Sequence, residues 1–229
     1  MMIEKNKVMN LTAITELSDV ITKHFVDSLL LVLAAPELGL KLDGSVEYSC
    51  IDVGTGAGFP GIPLKIAFPW LKITLLDSLN KRVGFLNEVI EALGLTDITA
   101  VHGRAEDYGR DAKYREQYDS QYDICVSRAV ANMSTLSEYC IPFVKKGGYF
   151  IPYKSGKADE EIAQARSAVK KLGGEMKDII VKILPEADVE RTFVPVKKMA
   201  IKRRNIREKQ DCPQKSRWGK STEKKNVQA

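Results

Sequence analysis

After residue 44 the sequence alternates between short apolar runs and amphipathic segments, and this alternation restricts the fold more than any other feature. The apolar runs predict strands, and the segments between them repeat apolar residues at helical spacing. Strands that alternate with helices favour crossover units, which build a parallel sheet with helices on both faces. The predicted strands are 46–53, 72–76, 98–102, 122–127 and 148–151, and the helices between them are 61–68, 80–93 and 134–144.

Two further regions flank this alternating core. Apolar residues recur at three- and four-residue steps over residues 16–35, which predicts one amphipathic helix. After the core, residues 157–172 predict a helix, and residues 175–183 and 191–201 predict strands. Pro152 has no backbone N–H and is therefore expected to end its strand. The predicted organisation is a helical extension over 1–44, an α/β domain over 45–202 and a basic, flexible tail over 203–229.

Charge is distributed unevenly along the chain. Residues 196–229 contain twelve Lys and Arg and three acidic residues, a net charge of +9, whereas residues 1–195 carry −4. A basic segment attached to an acidic body favours a polyanionic partner such as nucleic acid, and a merely solvated tail is the alternative.

The composition argues against several classes of protein. The longest apolar run, residues 29–35, has seven residues, and a membrane span needs about 20, so we expect no membrane partner. The four cysteines lack paired spacing and the two histidines lie apart from them, so no metal site is predicted. The polar N-terminus does not resemble a secretory signal, and scattered thiols favour a reducing, cytoplasmic setting.

A glycine-rich loop after the first predicted strand is the strongest indication of a ligand site. It contains Asp52, Gly54, Gly56 and Gly58, and a helix is predicted directly after it. Glycines let the backbone turn sharply and let a ligand lie against main-chain amides near a helix N-terminus. A dinucleotide fingerprint would require glycine at position 59, where this chain has Phe59. The spacing instead resembles the first motif of S-adenosylmethionine-dependent methyltransferases.

Residues after the next two strands could complete such a site. Asp77 ends the second strand, 21 residues beyond Gly56, where a carboxylate can accept hydrogen bonds from both ribose hydroxyls of a nucleoside. Asp77 could instead cap the following helix. After the third strand, a main-chain amide near Ala105 and the Glu106 carboxylate could bind the amino edge and ring nitrogen of adenine. Read alone, Glu106 would more often be a surface charge.

Seven segments together resemble one known family, and those after the second and fourth strands are more specific than the glycines. They are Asn10–Thr12, His24–Ser28, Asp52–Pro63, Leu76–Arg82 with Phe85 and Leu86, Arg104–Glu106, Ser127–Ala131 and Lys154–Gly156. From Asn10 to about Val196 the chain closely resembles the RsmG (GidB) family of bacterial small-subunit ribosomal RNA methyltransferases. The tail does not align with the family, so its predicted role in RNA binding depends on its charge and on Trp218, which could stack on a base.

The resemblance implies a fold and an activity. The fold is α/β, a Rossmann-like class I methyltransferase with a mostly parallel seven-stranded sheet and an N-terminal helical extension. The implied enzyme is a monomer that transfers a methyl group from S-adenosyl-L-methionine to N7 of a guanine in the 530 loop of 16S ribosomal RNA, free or in the small subunit. The residues expected to bind the cofactor are Asp52, Gly54, Gly56, Gly58, Phe59, Asp77, Ala105, Glu106 and Arg128. Those implied to face the guanine or its phosphates are Asn10, His24, Asp27, Arg128 and Lys154.

Guanine N7 has a lone pair and no proton, so this reaction requires no general base, and the main task of the protein is positioning. Asp27 could stabilise the positive charge that methylation leaves on guanine, while His24 and Asp27 fit a purely structural pair equally well.

Three alternative functions remain open. The first is a methyltransferase that acts on another RNA, on a protein or on a small molecule. The second is an NAD(P)-dependent reductase, and the third is a non-catalytic RNA-binding protein.

Overall fold

The structure is a computed structural model that describes residues 1–108, 120–128, 130–155, 159–185, 187 and 189–200. The predicted tail over 203–229, with Trp218, lies outside the described residues. Ala129 and Gly156 of the family-like segments also lie outside them.

Within the described residues, nine strands form one sheet. Seven lie on a continuous path in the order β3-β2-β1-β4-β5-β8-β7, which is the number predicted for the sheet. Two more strands lie beside this path, because β9 pairs with β5 and β6. The strands from β3 to β5 along this path are parallel, and β8, β7, β9 and β6 pair antiparallel. The strands are β1 Ser49–Val53, β2 Lys72–Asp77, β3 Ile98–His102, β4 Tyr122–Arg128, β5 Val144–Ser155, β6 Gly174–Met176, β7 Ile180–Ile183, β8 Glu190–Phe193 and β9 Val196–Lys198.

The strand order creates a switch point between β1 and β4. The chain builds outward from β1 to β3 on one side, then crosses to the other side of β1 to form β4. Ligands of open α/β sheets bind beyond the carboxyl ends of the strands at such a point. The register pairs Val53 with Leu76 and Asp77 with His102, so the ends of β1, β2 and β3 lie along one edge.

Helical segments cover both faces of the sheet and also make up much of the N-terminal region. Within the described residues they are α1 Met2–Met9, α2 Leu17–Val20, a π-helical segment Ile21–Val26, α3 Asp27–Leu29, α4 Leu31–Ala34, a 3-10 helix Ala35–Leu38, α5 Gly61–Ala67, α6 Asn80–Ala92, α7 Ala105–Tyr108, α8 Met133–Cys140, a 3-10 helix Ile141–Phe143 and α9 Asp159–Lys171. In the part of the chain that is described, no helix has the length and apolar character that crossing a membrane requires.

Four sequence predictions about these elements were wrong. The strands predicted over 175–183 and 191–201 are each divided in two, into β6 with β7 and into β8 with β9. The expected single helix over residues 16–35 is divided, because it widens into the π-helical segment, whose Lys23 and His24 carbonyls accept from a side chain outside the helix. Pro152 does not end its strand, since β5 continues to Ser155. The proline lies in the gap where the antiparallel partner of β5 changes from β9 to β8, and an irregular position of this kind tolerates a missing donor.

The hydrophobic core lies on both faces of the sheet. Alternate residues of β1 point to opposite faces, so Cys50 joins one buried cluster and Ile51 the other. Leu31 and Ala34 of α4 belong to the first cluster. The N-terminal segment therefore packs directly on the sheet, which places residues 24–28 near the carboxyl ends of the strands.

Candidate functional site

The loop after β1 turns at three glycines with positive φ, +72° at Gly54, +61° at Gly56 and +97° at Gly58. A Cβ at Gly54 would lie 2.5 Å from Val130 Cγ2, and one at Gly58 would lie 2.4 Å from Ile62 Cδ1. Both positions therefore require glycine for space as well as for conformation. Gly56 has nothing within 4 Å of the same point, so its backbone lies open to a ligand.

Asp52 holds this loop from beneath. Its Oδ2 accepts hydrogen bonds from Thr55 Oγ1 at 2.6 Å and from the Gly61 amide at 2.9 Å, which tie the two ends of the loop together. Burial raises the pKa of Asp52 to about 6, against the opposing effect of these two hydrogen bonds. Both observed contacts of Asp52 are to the loop, so its contribution is to the loop's shape.

The Asp77 carboxylate also binds backbone in this structure. Its Oδ2 accepts from the Gly56 amide and its Oδ1 from the Leu79 amide, both at 2.9 Å, and Arg82 Nη1 lies 3.6 Å from Oδ2. The residue is 3% exposed. The alternative prediction, that Asp77 caps the following helix, was wrong, because the N-cap of α6 is Leu79 and it has no side-chain cap hydrogen bond. Asp77 instead binds the Leu79 amide in the turn before the helix and connects the end of β2 to the glycine loop.

A cavity of about 250 Å³ opens beside the glycine loop at the ends of β1, β2 and β3. Its lining combines apolar walls with polar groups from the turn after β3. The lining residues are Val53, Gly54, Leu76, Ser78, Gly103, Arg104, Ala105, Glu106, Val130 and Tyr139. Ala105 and Glu106, expected from the sequence, are thereby brought to Gly54, whereas no role in the site was predicted for Val130 and Tyr139.

A cluster of charged and aromatic side chains lies where β4 ends, and we name it the Arg128 cluster. It consists of His24, Asp27, Phe59, Arg128 and Arg191. Arg128 Nη1 lies 2.6 Å from Asp27 Oδ2, and Arg191 binds both oxygens of Asp27 with Nε at 2.6 Å and Nη2 at 2.8 Å. Asp27, whose side chain is 1% exposed, is therefore neutralised by two guanidinium groups.

His24 connects this cluster to the N-terminal segment. Its Nδ1 lies 3.3 Å from Arg128 Nη2 and its Nε2 lies 2.7 Å from Thr12 Oγ1. Burial lowers the pKa of His24, and the positive charge of Arg128 lowers it further. A neutral His24 accepts from arginine, which can only donate, and donates from Nε2 to Thr12.

Phe59 forms the apolar side of the cluster. Its ring stacks on the His24 ring with centroids 4.8 Å apart, and the Arg128 guanidinium carbon lies 5.3 Å from the Phe59 centroid. Because Phe59 follows the glycine loop directly, the loop connects the cavity on one side with the Arg128 cluster on the other.

Lys154 and Asn10 lie outside this arrangement. Lys154 Nζ pairs with Glu161 Oε1 at 2.6 Å and donates to the Ala131 carbonyl at 3.1 Å, which supports the segment after β4. Asn10 is exposed at the left-handed end of α1, and Thr12 makes the contact from this segment to His24.

The residues of the cavity fit an adenosyl group. The apolar walls from Leu76 and Val130 suit the faces of a purine, and the half-buried Glu106 carboxylate can accept from its amino group. The open side of Gly56 leaves room for the remainder of such a ligand close to the backbone.

Comparison with known proteins identifies the family. The sequence model of the family described as rRNA small subunit methyltransferase G matches residues 1–189. The chain belongs to this family. It is 52% identical over 199 residues to the ribosomal RNA small subunit methyltransferase G of Lachnoclostridium phytofermentans, covering 87% of this chain and 78% of that protein. It is 50% identical over 196 residues to the methyltransferase G of Clostridium botulinum strain Loch Maree, covering 86% and 77%.

Membership of the rRNA small subunit methyltransferase G family confirms the predicted enzyme, an S-adenosylmethionine-dependent methyltransferase that acts on ribosomal RNA. The predicted class I fold is confirmed by solved structures. One of these is a mutant of MtNAS in complex with S-adenosylmethionine, with a TM-score of 0.55 and 15% identity, covering 87% of this chain and 73% of that chain.

Proposed function

We propose that this family member methylates N7 of a guanine in the 530 loop of 16S ribosomal RNA. The adenosyl part of S-adenosylmethionine binds in the cavity beside Gly54, and the guanine lies on the Arg128 cluster. The glycine loop between them brings donor and acceptor together.

This acceptor is supported by the hydrogen bonds of the Arg128 cluster. Its two side chains that could accept a proton from a substrate, Asp27 and His24, already have hydrogen-bond partners. Asp27 has both oxygens bound by arginines, and each ring nitrogen of His24 has a partner. Such a site is poorly equipped to remove a proton from its substrate. Guanine N7 needs no such step, because its lone pair is free to attack.

The cofactor is held by the loop and the cavity. Asp52, Gly54, Gly56 and Gly58 shape the loop, Asp77 positions its middle, and Ala105 with Glu106 binds the adenine edge. Phe59 and Arg128 close the end of the site where the methyl group lies. Bound S-adenosylmethionine supplies a methyl group already activated on sulfur, so the contribution of the chain is alignment.

The acceptor is held by positive charge. Arg128 binds the O6 edge of the guanine or a neighbouring phosphate, and Lys154 and Asn10 contact the RNA at the rim. His24 and Asp27 position Arg128. Because two arginines share one buried carboxylate, the cluster keeps a surplus positive charge that suits a polyanion.

The wider setting follows from this activity. The protein acts in the cytoplasm as a monomer on 16S ribosomal RNA or the small subunit, and it has no membrane partner. The helical extension over 1–44 supplies His24 and Asp27 to the methyltransferase domain over 45–202, and the basic tail over 203–229 adds affinity for RNA.

Chemical cleavage at N7-methylguanosine in 16S ribosomal RNA tests the proposal. RNA from cells with and without this protein is reduced and cleaved, and the fragments are mapped by primer extension. We expect one protein-dependent cleavage, at a guanine of the 530 loop. A cleavage elsewhere, or methyl transfer from labelled cofactor into protein instead of RNA, would overturn it.

A further inference from the structure

An apolar stripe runs along the exposed side of the N-terminal helical segment and ends at the Arg128 cluster. Leu17, Ile21 and Phe25 are 62%, 49% and 37% exposed, and their four-residue spacing places them on one side of the segment. Phe25 packs edge-on against Phe59 with centroids 5.2 Å apart, and Phe59 stacks on His24. The stripe is therefore continuous with the proposed acceptor site.

The Arg128 cluster also holds the end of this stripe in place. Arg128 Nη1 donates to the carbonyls of Lys23 at 3.3 Å and His24 at 3.5 Å, the two residues that precede Phe25. These carbonyls belong to the π-helical segment, and π-helical turns occur frequently at functional sites. The Phe25 ring is thus partly exposed beside the site on a backbone that the site itself fixes.

Charge indicates what kind of molecule covers the stripe. Arg128 and Arg191 exceed Asp27 by one positive charge at its inner end. At its middle the charge of Lys23 is balanced by Asp19 at 2.9 Å, so the surplus positive charge lies at the inner end, next to Phe25. Phe25 next to this positive charge combines what single-stranded nucleic acid needs, an aromatic ring for a base and cations for its phosphates.

The acceptor atom gives the stripe a function. In A-form RNA, N7 faces a deep and narrow major groove that side chains do not enter, so the target guanine must come from an unpaired, unstacked region. A base drawn out of its stack leaves a neighbouring base without its stacking partner, and this loss opposes binding.

We propose, on the basis of the proposed function, that Leu17, Ile21 and Phe25 form an apolar contact surface for the RNA bases next to the target guanine. Phe25 stacks on the adjacent base and replaces the contact that the guanine gives up. Ile21 and Leu17 give apolar contact, without stacking, to bases farther along the RNA strand. The stripe thereby favours substrates whose target guanine has an accessible neighbouring base.

Substitutions at Phe25 test this proposal in the full-length protein with 16S ribosomal RNA. Phe25→Ala should raise KM for RNA about tenfold, the size of effect expected for one lost stacking contact. Phe25→Leu keeps apolar area without an aromatic ring and should lose nearly as much, whereas Phe25→Tyr should restore the wild-type KM. Ile21→Ser should act in the same direction to a smaller extent. Ile183→Ser, at a 68% exposed apolar residue on β7, is the matched control and should leave KM unchanged.

The affinity for S-adenosylhomocysteine, measured by calorimetry, separates stacking from a structural effect. It should stay at the wild-type value in every Phe25 variant. Loss of this affinity in Phe25→Ala, or a wild-type KM in Phe25→Leu, would show that Phe25 only packs against Phe59 and would overturn the proposal.

A defect seen with assembled subunits but not with free RNA would overturn the proposal in favour of a protein partner. If the wild-type protein methylated no guanine N7, the proposed function would fail, and filter binding of the same variants to RNA would still decide whether the stripe contacts bases.

Discussion

Asp27 illustrates how one residue joins three separate parts of the chain. It lies on the N-terminal segment, yet it accepts from Arg128 at the end of β4 and from Arg191 on β8. A buried carboxylate between two guanidinium groups is satisfied, whereas removal of the carboxylate would leave two positive charges facing each other. We therefore expect substitution of Asp27 to lower mainly stability and substitution of its partner Arg128 to lower mainly activity.

Arg128→Ala should abolish most activity while the protein still folds. Asp27 keeps its two hydrogen bonds from Arg191, so no buried charge is left alone, but the group proposed to hold the acceptor is gone. We expect the rate of methyl transfer from labelled cofactor to ribosomal RNA to fall by about 100-fold or more. Wild-type turnover in this variant would end the assignment.

The matched variant is Asp27→Ala, which should lower the stability of the protein more than Arg128→Ala does. With both arginines left unpaired, the free energy of unfolding should fall by about 3–5 kcal/mol. Urea denaturation of the two variants side by side measures the difference, and equal stabilities would contradict the shared role of Asp27.

Asp52 should make stability depend on pH. Its pKa of about 6 lies above its ordinary value of 3.8, so the folded state binds the proton more tightly than the unfolded state. Its contribution to stability is therefore largest below about pH 4 and is lost as pH rises through 6. Asp52→Asn retains an acceptor for Thr55 and Gly61 without the buried charge. The substitution should therefore remove the decline in the free energy of unfolding with rising pH, a difference on the order of 3 kcal/mol at neutral pH.

Denaturation across this pH range provides the measurement, with Asp43→Asn as the control at an exposed carboxylate. Parallel pH profiles for wild-type protein and Asp52→Asn would mean that Asp52 does not titrate in this window.

At the scale of elements, the glycine loop and the π-helical segment form the site from opposite sides. The loop needs positive φ at alternate residues and close contact with Ile62 and Val130. In the π-helical segment, the Lys23 and His24 carbonyls also accept from a side chain outside the helix, Arg128. One element is specified by its own residues, and the other is completed by a partner distant in sequence.

Gly58→Ala and Gly56→Ala should separate conformation from space within the loop. Both substitutions place a Cβ at positive φ, which costs roughly 1–2 kcal/mol. At Gly58 the Cβ also overlaps Ile62 Cδ1 at 2.4 Å, and overpacking adds about 1–3 kcal/mol, whereas the space at Gly56 is open. Gly58→Ala should therefore lower the free energy of unfolding more than Gly56→Ala, as chemical denaturation would show. The reverse order would mean that the loop does not pack as described.

At the scale of the whole molecule, a mildly acidic body carries its basic excess at one end of the sequence. The described part of the chain contributes specific contacts around Arg128, while long-range attraction to a polyanion depends on net charge. We expect specificity to reside in the body and much of the salt-dependent affinity to reside in the tail.

Deletion of residues 203–229, which removes nine Lys and Arg, should weaken binding to ribosomal RNA and flatten its dependence on salt. Filter binding at about 50 and 200 mM salt measures both effects. A tail of shuffled sequence and equal composition is the control and should restore the binding if charge alone acts. Unchanged affinity at both salt concentrations would show that the tail takes no part.

Local features of the sequence determined the alternating strands, the loop at Gly54 to Gly58 and the acidic end of β2, because hydrophobic periodicity and glycine conformation are properties of neighbouring residues. These features, with the motif resemblance, were enough to indicate the family and its cofactor. They were not enough for Pro152 or for the division of the N-terminal helix, since each depends on which partner a backbone group meets after folding.

The contacts within the Arg128 cluster were decided by tertiary structure. The family resemblance implied that His24, Asp27, Phe59 and Arg128 lie at the site, but it did not indicate Arg191 or the pairing with Asp27. Asp27 is 101 residues from Arg128 and 164 from Arg191, and no periodicity or spacing connects positions so far apart. They meet because the antiparallel strand β8 joins the parallel sheet next to β5 and because the N-terminal segment packs across the strand ends. The attraction between the carboxylate and the two arginines becomes strong only once that packing has excluded water, and it then offsets the cost of burying the charges.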